Sequence, residues 1–476
     1  MRRPNVIVVL VDQLRAFELG CYGNPVIRTP HIDRLAAEGV RFELGVTNNP
    51  VCTPARSCLL TGQYGRTCTG EIGNVADDPP CPRRRRLPDP TLAEALRAAG
   101  YRTALIGKWH IDPSPLTVGF DYAYYPLTIH RYRGQRFLEN DRLGPVVEGF
   151  APEHELARVD RYLAEQGGQP FFLFYNISLP HMPIGPTEMP DRYATLYAPE
   201  AVPLRGNVFR QGKLAHDEHW FRIYQTWDYF WRMAGAPCWN AAPECGYPDP
   251  KTGALPSDTL PAGFNLRNLY ALYYGATTWV DDLVGALMAS LGRHGLDRDT
   301  LVVFTSDHGD NLGSHHLFNK DCLYEESLRI PYILWHPGTL AAQVNAAQVA
   351  TLVDLMPTVL DWAGIEIPRT VQGQSLAPVA RGEREALDLN AAYIETDAFF
   401  FGRPTVGIRT PTHLYGAHTA GQGGALAEGW GFYDLRSDAL QEHDLLPTRE
   451  QAAYAAELRA QLRAWHDATP WLTVRG

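Results

Sequence analysis

The sequence predicts an α/β protein in which a large, mostly parallel sheet is sandwiched by helices, with a smaller C-terminal α+β domain. Strand-like and helix-like segments alternate through the first 384 residues, which is typical of parallel sheets covered on both faces. The strand-like segments are continuous apolar runs, as expected where both faces of a strand are buried. Past residue 385, short β-like runs precede one final helix. We therefore predict a large domain over 1–384 and a small one over 385–476.

Five apolar runs are predicted strands of the large sheet: NVIVVLV (5–11), VRFELGV (40–46), YRTALIG (101–107), PFFLFYNISL (170–179) and TLVVFTSDHGD (300–310). Their β-branched and aromatic residues suit a buried, pleated surface. The first run stops abruptly at Asp12-Gln13 and the last breaks into polar residues. Polar side chains are therefore expected where these strands end.

Helices are predicted between the strands, over TPHIDRLAAEG (29–39), TLAEALRAAG (91–100), Asp160 to Gln166 and the long stretch 268–295. Gly39 is expected to close the first, as glycine commonly does at a helix C-terminus. Thr91 and Glu94 stand at capping-box spacing, which favours a helix start there. In the C-terminal domain the predicted elements are the strands NAAYIET, TVGIRT and GWGFYDL and a helix from about Arg449 to Asp467.

Residues 190–265 interrupt the alternation of strands and helices. They are rich in aromatic residues, proline and glycine, as in HWFRIYQTWDYFWRM (219–233). A substrate lid, an oligomer contact and an ordinary insertion all remain open for this segment. For the protein as a whole we expect a homo-oligomer.

The overall composition excludes some classes of function. The 476 residues are 45% hydrophobic and 20% charged, which is ordinary for a soluble protein. A net charge of −10 argues against a nucleic-acid binder, because phosphate contacts need clustered Lys and Arg. One basic run, Arg83 to Arg86, is compatible with a solvated loop or with steering of an anionic substrate.

No targeting or membrane segment is predicted. The apolar run after MRRPN ends at Asp12, too early for a secretory signal, and no segment approaches the roughly 18 apolar residues of a membrane span. The eight cysteines contain no CxxC pair, so a cytoplasmic protein with reduced thiols is expected. All cysteines but Cys52 are expected to be structural: Cys21, Cys58, Cys68, Cys81, Cys238, Cys245 and Cys322.

Four polar clusters come directly after predicted strands: Asp12-Gln13, Lys108 with His110, His181, and Asp307-His308. In open α/β sheets, ligand sites form outside the carboxyl ends of the strands. Four clusters at such positions predict one shared site at this edge of the sheet.

Two carboxylates and an imidazole in these clusters suit a divalent cation. Asp12 and Asp307 offer oxygen ligands, and His308 adds a ring nitrogen. The alternative is strand-end capping combined with a salt bridge. The DHGD sequence after a buried strand favours the metal site.

Basic residues predict the binding of an anion beside the metal. Arg56, Lys108 and Lys320, if they converge there, form a positive pocket that binds a tetrahedral oxyanion and stabilises charge developing on it. His181, in LPHMP, is placed to protonate a leaving group. Taken singly, each of these residues is also compatible with a surface cation or a hydrogen-bonded core histidine.

Cys52, in VCTPAR, is difficult to explain as an ordinary thiol. A thiolate nucleophile beside Arg56 is conceivable, but phosphatases of that kind use a glycine-rich loop, and this loop contains a proline. A soft thiolate is also a poor ligand for a metal that prefers oxygen. The cysteine makes chemical sense only if it is converted into another group.

The stretch CTPARSCLLTG (52–62) resembles the sulfatase signature, C-x-P-x-R followed by x-x-L-x-T-G. The resemblance implies that a formylglycine-generating enzyme oxidises Cys52 to formylglycine, whose aldehyde hydrates to a geminal diol. One hydroxyl would lie on the metal and attack sulfur, and the other would lose its proton and expel sulfate. Pro54 and Arg56 are then the recognition tag for the modifying enzyme, and Arg56 is also a ligand of the nucleophile.

Five further motifs extend this resemblance along the chain. They are GKWH (107–110), PHMP (180–183), SDHGDNLGSHHLFNK (306–320), VDLMPTVLDWAGIEIP (353–368) and FYDLRSDALQEHDL (432–445). The third implies site roles for Asp307, His308 and Lys320. Their order implies the alkaline phosphatase-like fold of the superfamily.

Two departures from the common sulfatase pattern affect the metal. Gln13 stands where many sulfatases have a second aspartate, and His308 where many have asparagine. This pattern resembles the branch that holds choline sulfatases, arylsulfatases and phosphonate monoester hydrolases. It implies one divalent ion held by Asp12, Gln13, modified Cys52, Asp307 and His308. Calcium is expected, and the imidazole makes manganese or zinc the alternative.

The resemblance implies a sulfuric ester hydrolase, similar to arylsulfatases, that acts on a small-molecule sulfate monoester. Its implied substrate contacts are Asn74, Lys108, His181 and Lys320, with His181 or His110 assisting the leaving group. Hydrolysis of phosphonate monoesters or phosphodiesters at the same site is the main competing function. The retained Lys108 and His110 favour sulfate, and an aryl sulfate is the expected substrate. A non-catalytic binding module and a metal-dependent phosphomutase or transferase are less favoured functions.

Overall fold

The structure is a computed structural model that describes residues 3–74, 87, 90–127, 129–182, 184, 188–210, 213–214, 266–397 and 403–472. Several features named above lie outside these residues. They are the basic run Arg83 to Arg86, the cysteines Cys81, Cys238 and Cys245, and most of the predicted insertion at 190–265.

A ten-stranded sheet forms the centre of the larger part of the chain. Its strands are β1 (Asn5–Asp12), β2 (Val40–Val46), β3 (Arg102–Gly107), β4 (Tyr122–Pro126), β5 (Arg136–Glu139), β6 (Arg142–Val146), β7 (Phe171–Pro180), β10 (Thr300–Ser306), β11 (Tyr332–Trp335) and β12 (Gln343–Thr351). They are ordered β12-β2-β11-β10-β1-β7-β3-β4-β5-β6, and the central five, from β10 to β4, are all parallel. Two short strands, β8 (Phe209–Arg210) and β9 (Lys213–Leu214), pair separately.

Helices cover both faces of this sheet. They are α1 (Pro30–Glu38), α2 (Cys52–Thr61), α3 (Gly65–Cys68), α4 (Leu92–Ala98), α5 (Ala151–Ala164), α6 (Asp191–Ala194), α7 (Leu266–Arg293), α8 (Glu325–Leu328), α9 (Leu355–Trp362) and α10 (Ala377–Ala380). Alternate residues of β1 enter two separate cores. Val9 packs in the core shared with α1, α5 and α7, and Val8 packs in the core shared with α2, α4 and α9. The predicted fold class is confirmed.

Two predicted helices differ in detail from the observed ones. The segment predicted from Asp160 belongs to α5, which begins nine residues earlier at Ala151, with Pro152 in its first turn. The charged residues of the first turn interrupt the apolar pattern, so the start of the helix was not predicted, although proline suits that position. Gly39 does end α1, but in an extended conformation (φ −120°). Glycine is needed there because a Cβ would lie 2.3 Å from the carbonyl oxygen of Leu334.

A second sheet forms the C-terminal part of the chain. Its strands β13 (Ala392–Thr396), β14 (Thr405–Arg409), β15 (His413–Thr419) and β16 (Leu426–Asp434) pair antiparallel in chain order. The final helix α11 (Ala452–Ala468) packs on β14 and β15. The sequence indicated three of these strands and missed β15, whose run HLYGAHT mixes polar and apolar residues. The boundary at 384/385 stays a prediction.

None of the helices in the described part of the chain is both long enough and apolar enough to cross a membrane.

Candidate active site

Cys52 is the first residue of α2, and its side chain is buried at the helix N-terminus. Pro54 lies in the first turn, where a missing N–H costs no helical hydrogen bond. Arg56 follows one turn later, so its side chain extends from the same face of the helix as that of Cys52. The spacing C-x-P-x-R therefore places a thiol and a guanidinium side by side at a helix terminus.

Asp12 and Asp307 are brought together by the pairing of two parallel strands. β1 pairs with β10 in a register that sets Val11 beside Ser306, so both strands end at the same edge of the sheet. Both carboxylates are completely buried. The backbone N–H of Gln13 donates to Asp307 Oδ1 at 3.0 Å, which fixes that side chain across the strand ends.

Arg56 binds one oxygen of each carboxylate. Its Nη2 lies 3.1 Å from Asp12 Oδ2 and 2.9 Å from Asp307 Oδ2. Its Nη1 donates to the backbone carbonyl of Lys108 at 3.2 Å. Burial alone would lower the pKa of Arg56, and the two carboxylates outweigh that effect and raise it. The guanidinium therefore stays charged and holds both Oδ2 atoms on its own side.

His308 directs a ring nitrogen at the other side of the same carboxylates. Its Nδ1 lies 3.0 Å from the carbonyl oxygen of Gly309, which can only accept, so Nδ1 carries the hydrogen. The lone pair of Nε2 is then 3.3 Å from Cys52 Sγ and 3.5 Å from Asp307 Oδ1. A lone pair facing a carboxylate oxygen is repulsive unless a cation lies between them.

Four side chains thus form a group suited to a metal ion. Ligand atoms from Asp12, Cys52, Asp307 and His308 all lie within 4.8 Å of one another, and all four residues are buried. Two carboxylate oxygens and an imidazole nitrogen are a donor set that divalent cations accept. The chemistry of these residues therefore fits a divalent metal.

Gln13, the fifth predicted ligand, lies beside this group with its amide engaged elsewhere. Its Oε1 accepts from Lys320 Nζ at 2.9 Å, and its Nε2 donates to Asp310. Gln13 thereby connects the predicted metal ligands to Lys320. Its role as a metal ligand stays a prediction.

Two ammonium groups lie close to the Cys52 thiol. Lys320 Nζ lies 3.1 Å and Lys108 Nζ 3.6 Å from Cys52 Sγ, and Lys108 also binds Asp12. Burial would raise the pKa of the Cys52 thiol, but the ammonium groups of Lys108 and Lys320 outweigh it and lower that pKa well below its ordinary value. The position of Sγ is thus electrostatically suited to an anion.

The backbone at the end of β3 sets the direction of Lys108. Gly107 has φ +94°, and a Cβ there would lie 2.0 Å from the carbonyl oxygen of Asn176 on β7. The N–H of Lys108 donates to that same oxygen at 3.0 Å, and Asn176 Nδ2 donates to the Lys108 carbonyl at 2.7 Å. Only glycine allows the close approach that locks the Lys108 backbone against β7.

His110 and His181 line the same site and, unlike its metal-facing residues, are only half-buried. Burial is the main cause that lowers the pKa of His110 to about 4, and the positive charge of Lys108 is the next. Burial is likewise the main cause that lowers the pKa of His181 to about 4, and the positive charge of Lys320 is the next. His181 Nδ1 donates to the carbonyl of Met182 at 2.6 Å, so Nε2 is the atom left to exchange a proton with a ligand.

Asn74 lies against the start of α2 and is exposed. Its Oδ1 accepts from the backbone N–H of Thr53 at 3.1 Å, which satisfies one of the free N–H groups at the helix start. Its predicted contact with substrate stays a prediction. The remaining described cysteines are free thiols away from this group, with Cys58, Cys68 and Cys322 buried and Cys21 half-buried.

One residue of the site was missed by the sequence analysis. His130 Nε2 lies 2.8 Å from Lys108 Nζ, and its ring stacks on that of His181 with centroids 3.7 Å apart. It comes from the irregular segment between β4 and β5 rather than from a strand end, and it belongs to none of the motifs. No signal in the single sequence distinguishes it.

Comparison with known proteins identifies the family. The model of the sulfatase family matches residues 4–365, and a model described as the C-terminal region of N-sulphoglucosamine sulphohydrolase matches residues 313–468. The chain belongs to the sulfatase family. The first match covers about three quarters of the chain and includes every residue of the site described above.

Two relatives match this sulfatase over nearly its whole length. The ulvan-active sulfatase of Formosa agariphila is 30% identical over 490 residues, which cover 97% of this chain and 80% of that protein. The N-acetylglucosamine-6-O-sulfatase of Bacteroides thetaiotaomicron is 28% identical over 502 residues, which cover 96% and 85%. A solved structure, BT4656 in complex with its substrate D-glucosamine-2-N,6-O-disulfate, has a TM-score of 0.78 and 25% identity over 98% of this chain and 99% of that one.

These comparisons confirm the predicted family and the predicted class of enzyme. The sulfatase is a sulfuric ester hydrolase. Members of the family generally bind a divalent metal, and the group around Asp12 and Asp307 is the candidate site for it.

Proposed function

We propose that this sulfatase hydrolyses a sulfate monoester of a carbohydrate at the site around residue 52. The observation that carries the proposal is the place of Cys52 Sγ, which lies 3.3 Å from His308 Nε2 and 3.1 Å from Lys320 Nζ. A group at this position would contact a metal and an anionic substrate at once. The names of the three proteins compared above, which refer to ulvan and to glucosamine derivatives, support a carbohydrate alcohol.

The proposal includes conversion of Cys52 to formylglycine by a formylglycine-generating enzyme. The residues CTPAR and their place at a helix start support it. The hydrated aldehyde would supply a nucleophilic hydroxyl and a second hydroxyl whose deprotonation releases sulfate. A cysteine or serine has no such second group.

The proposed metal ligands are Asp12, Gln13, Asp307, His308 and modified residue 52. Arg56 binds the Oδ2 atoms of both aspartates, which leaves their Oδ1 atoms and His308 Nε2 directed towards the metal. A divalent ion there would supply positive charge that favours an ionised nucleophile. Calcium stays the expected ion because most donors are oxygen atoms, and the imidazole keeps manganese and zinc as alternatives.

The remaining residues have distinct proposed roles. Lys108 and Lys320 bind the oxygens of the sulfuryl group, since each ammonium has N–H donors directed at position 52. His181 delivers a proton to the departing alcohol oxygen from Nε2, and His110 is the alternative donor. The charge of a bound sulfate ester favours the protonated imidazole, which offsets the effect of burial on its pKa.

The test is a comparison of kcat/KM across three ester classes. Glucosamine 6-O-sulfate, 4-nitrophenyl sulfate and a phenyl phosphonate monoester present a sugar, an aryl alcohol and a different tetrahedral anion to the same site. We expect the sugar sulfate to have the highest kcat/KM relative to its uncatalysed rate. A preference for the aryl sulfate would support the arylsulfatase that the sequence motifs imply, and a large preference for the phosphonate would overturn the proposal.

The cytoplasmic location and the homo-oligomeric state suggested by the sequence both stay predictions. Neither is needed for the chemistry proposed for the site.

A further inference from the structure

His130 connects the two halves of the site that bind the anion and release the alcohol. It lies between β4, which ends at Pro126, and β5, which begins at Arg136. Its side chain is 3% exposed. The ammonium of Lys108 lies 2.8 Å from its Nε2. Because an ammonium can only donate, Nε2 must accept, and the ring hydrogen lies on Nδ1.

The contact with His130 determines where the Lys108 ammonium points. An ammonium has three N–H donors on a flexible four-carbon stem. One donor is directed to Asp12 and a second to His130, and Cys52 Sγ is a third neighbour of this ammonium at 3.6 Å. Two fixed acceptors therefore leave one donor for whatever occupies the place of Sγ. Without the imidazole, Asp12 alone would hold the ammonium, which could then rotate about that contact.

The face of the same ring supports His181. The two imidazoles are parallel within 3°, with centroids 3.7 Å apart. His110 meets His130 edge-on, with centroids 6.1 Å apart and planes at 90°. The stack fixes the plane of the His181 ring, and the bond from its Nδ1 to the Met182 carbonyl fixes its rotation within that plane. The direction of His181 Nε2 is thereby set.

The position also keeps the His130 ring uncharged. Burial, followed by the influence of His181 and Lys108, lowers the pKa of His130 well below its ordinary value. A neutral ring can accept from Lys108 and can lie against a protonated His181 without charge repulsion.

We propose that His130 is a positioning residue for sulfate ester hydrolysis, whose Nε2 orients Lys108 towards the sulfuryl group and whose ring face orients His181 towards the leaving oxygen. The second half of this proposal rests on the function proposed above for His181.

Two substitutions separate the two contacts. His130→Phe keeps a flat ring against His181 and removes the acceptor for Lys108. His130→Gln keeps an acceptor near the position of Nε2 and removes the ring. Both variants are assayed by kcat/KM with phenyl sulfates whose phenols differ in acidity, since this parameter includes departure of the phenol.

The two variants should respond differently to the leaving group. Lys108 acts on sulfuryl oxygens whatever the alcohol is, so His130→Phe should lower kcat/KM by a similar factor for all esters. We expect about 10- to 100-fold, a part of the ~10²–10³-fold lost when an oxyanion donor is removed outright. His130→Gln should retain kcat/KM for the most acidic phenols and lose progressively more as the phenol becomes less acidic, because those leaving groups depend most on protonation.

Controls separate positioning from general damage to the fold. His336→Phe removes another buried histidine acceptor, which lies outside the site. His336 Nδ1 accepts a hydrogen bond of 2.9 Å from the Trp362 indole, and its loss should leave kcat/KM unchanged. Thermal unfolding of each variant is measured in parallel. The double variant Lys108→Ala/His130→Phe gives a further check that does not depend on how much His130→Phe alone lowers kcat/KM. If His130 acts through Lys108, His130→Phe should not lower kcat/KM further once Lys108 has been replaced.

The proposal would be overturned if both His130 variants kept the wild-type kcat/KM, or if His130→Phe and His130→Gln depended on the leaving group in the same way. It would also be overturned if the losses of kcat/KM caused by His130→Phe and Lys108→Ala were additive. These outcomes differ from failure of the proposed function. Failure of the proposed function would appear in the unmutated enzyme, as a large preference in kcat/KM for the phosphonate monoester over the sulfate esters.

Discussion

Arg56 and Asp307 are joined by two hydrogen bonds to a single carboxylate oxygen, from Nε at 3.1 Å and from Nη2 at 2.9 Å to Oδ2. The other oxygen, Oδ1, lies on the side of His308 Nε2. Arg56 therefore holds Oδ2 of Asp307 in a structural contact, and Oδ1 is the oxygen proposed to bind the metal.

Arg56→Lys should weaken the metal site. A lysine ammonium cannot reproduce the planar fork that holds Asp12 and Asp307 together. We expect metal affinity to fall about 10- to 100-fold, as is usual when a group that orients metal ligands is lost. Titration of the metal-free enzyme with calcium or manganese measures this.

Arg56 also belongs to the proposed recognition tag for modification, so the mass of the peptide containing residue 52 must be checked in this variant. A fully modified Arg56→Lys enzyme with unchanged metal affinity would contradict the prediction.

Lys320→Met should impair binding of the sulfuryl group. Methionine keeps an unbranched apolar side chain and removes the ammonium that lies 3.1 Å from Cys52 Sγ. We expect kcat/KM to fall about 10²- to 10³-fold, the usual loss for one oxyanion donor. Arg384→Met, which removes an exposed cation paired with Asp388, is the matched control and should have no effect on steady-state kinetics. Equal kcat/KM in the two variants would show that Lys320 does not contact the reacting group.

Gly107→Ala should damage both stability and activity. The new Cβ would lie 2.0 Å from the Asn176 carbonyl, so β3 and β7 must separate and Lys108 must move. Gly100→Ala is a matched control, since Gly100 has φ +92° but nothing within 4 Å of the added carbon.

Chemical denaturation measures the unfolding free energy of both glycine variants and so separates the cost of backbone strain from that of the steric clash. Gly100→Ala should cost about 1 kcal/mol for the left-handed conformation alone, and Gly107→Ala should cost more and reduce kcat as well. Equal losses of stability with full activity would contradict the role given to Gly107.

Much of this site could be predicted because the chain order and the sheet obey simple rules. Asp12, Lys108, His181 and Asp307 each follow an apolar run, and parallel strands bring such positions to one edge. Cys52 and Arg56 were found through their motif, which specifies a helix start. These residues depend on local sequence, which a single chain displays directly.

The parts that could not be predicted depend on contacts between distant segments. His130 is recognised only once β3, β4 and β7 bring it against Lys108 and His181. The orientation of the Gln13 amide depends on Asp310 and Lys320, which are roughly 300 residues away. Neither contact leaves a pattern of spacing or hydrophobicity in the sequence.

Glu395→Gln should reduce the stability of the link between α3 and the second sheet. Glu395, on β13, binds Arg66 Nε at 2.6 Å, and both side chains are buried. Arg66 also lies over the ring of Trp465 at 4.7 Å. Removal of the carboxylate charge leaves a buried guanidinium without its ionic partner, which typically costs about 3–5 kcal/mol.

Urea denaturation of Glu395→Gln and Glu428→Gln measures that cost. Glu428 forms an exposed pair with Arg403, and its loss should leave the unfolding midpoint unchanged. A similar midpoint for both variants would show that the Arg66–Glu395 pair does not stabilise the contact.

The most direct test of the proposed chemistry is the relation between modification of residue 52 and turnover. Enzyme produced with graded amounts of a formylglycine-generating enzyme is digested, and the fraction of the peptide spanning residue 52 that has lost sulfur and two hydrogens and gained one oxygen is measured by mass spectrometry. Formylglycine-dependent catalysis predicts that kcat rises in proportion to this fraction and extrapolates to zero when only cysteine is present. A kcat independent of the modified fraction, or full turnover by Cys52→Ala, would contradict it.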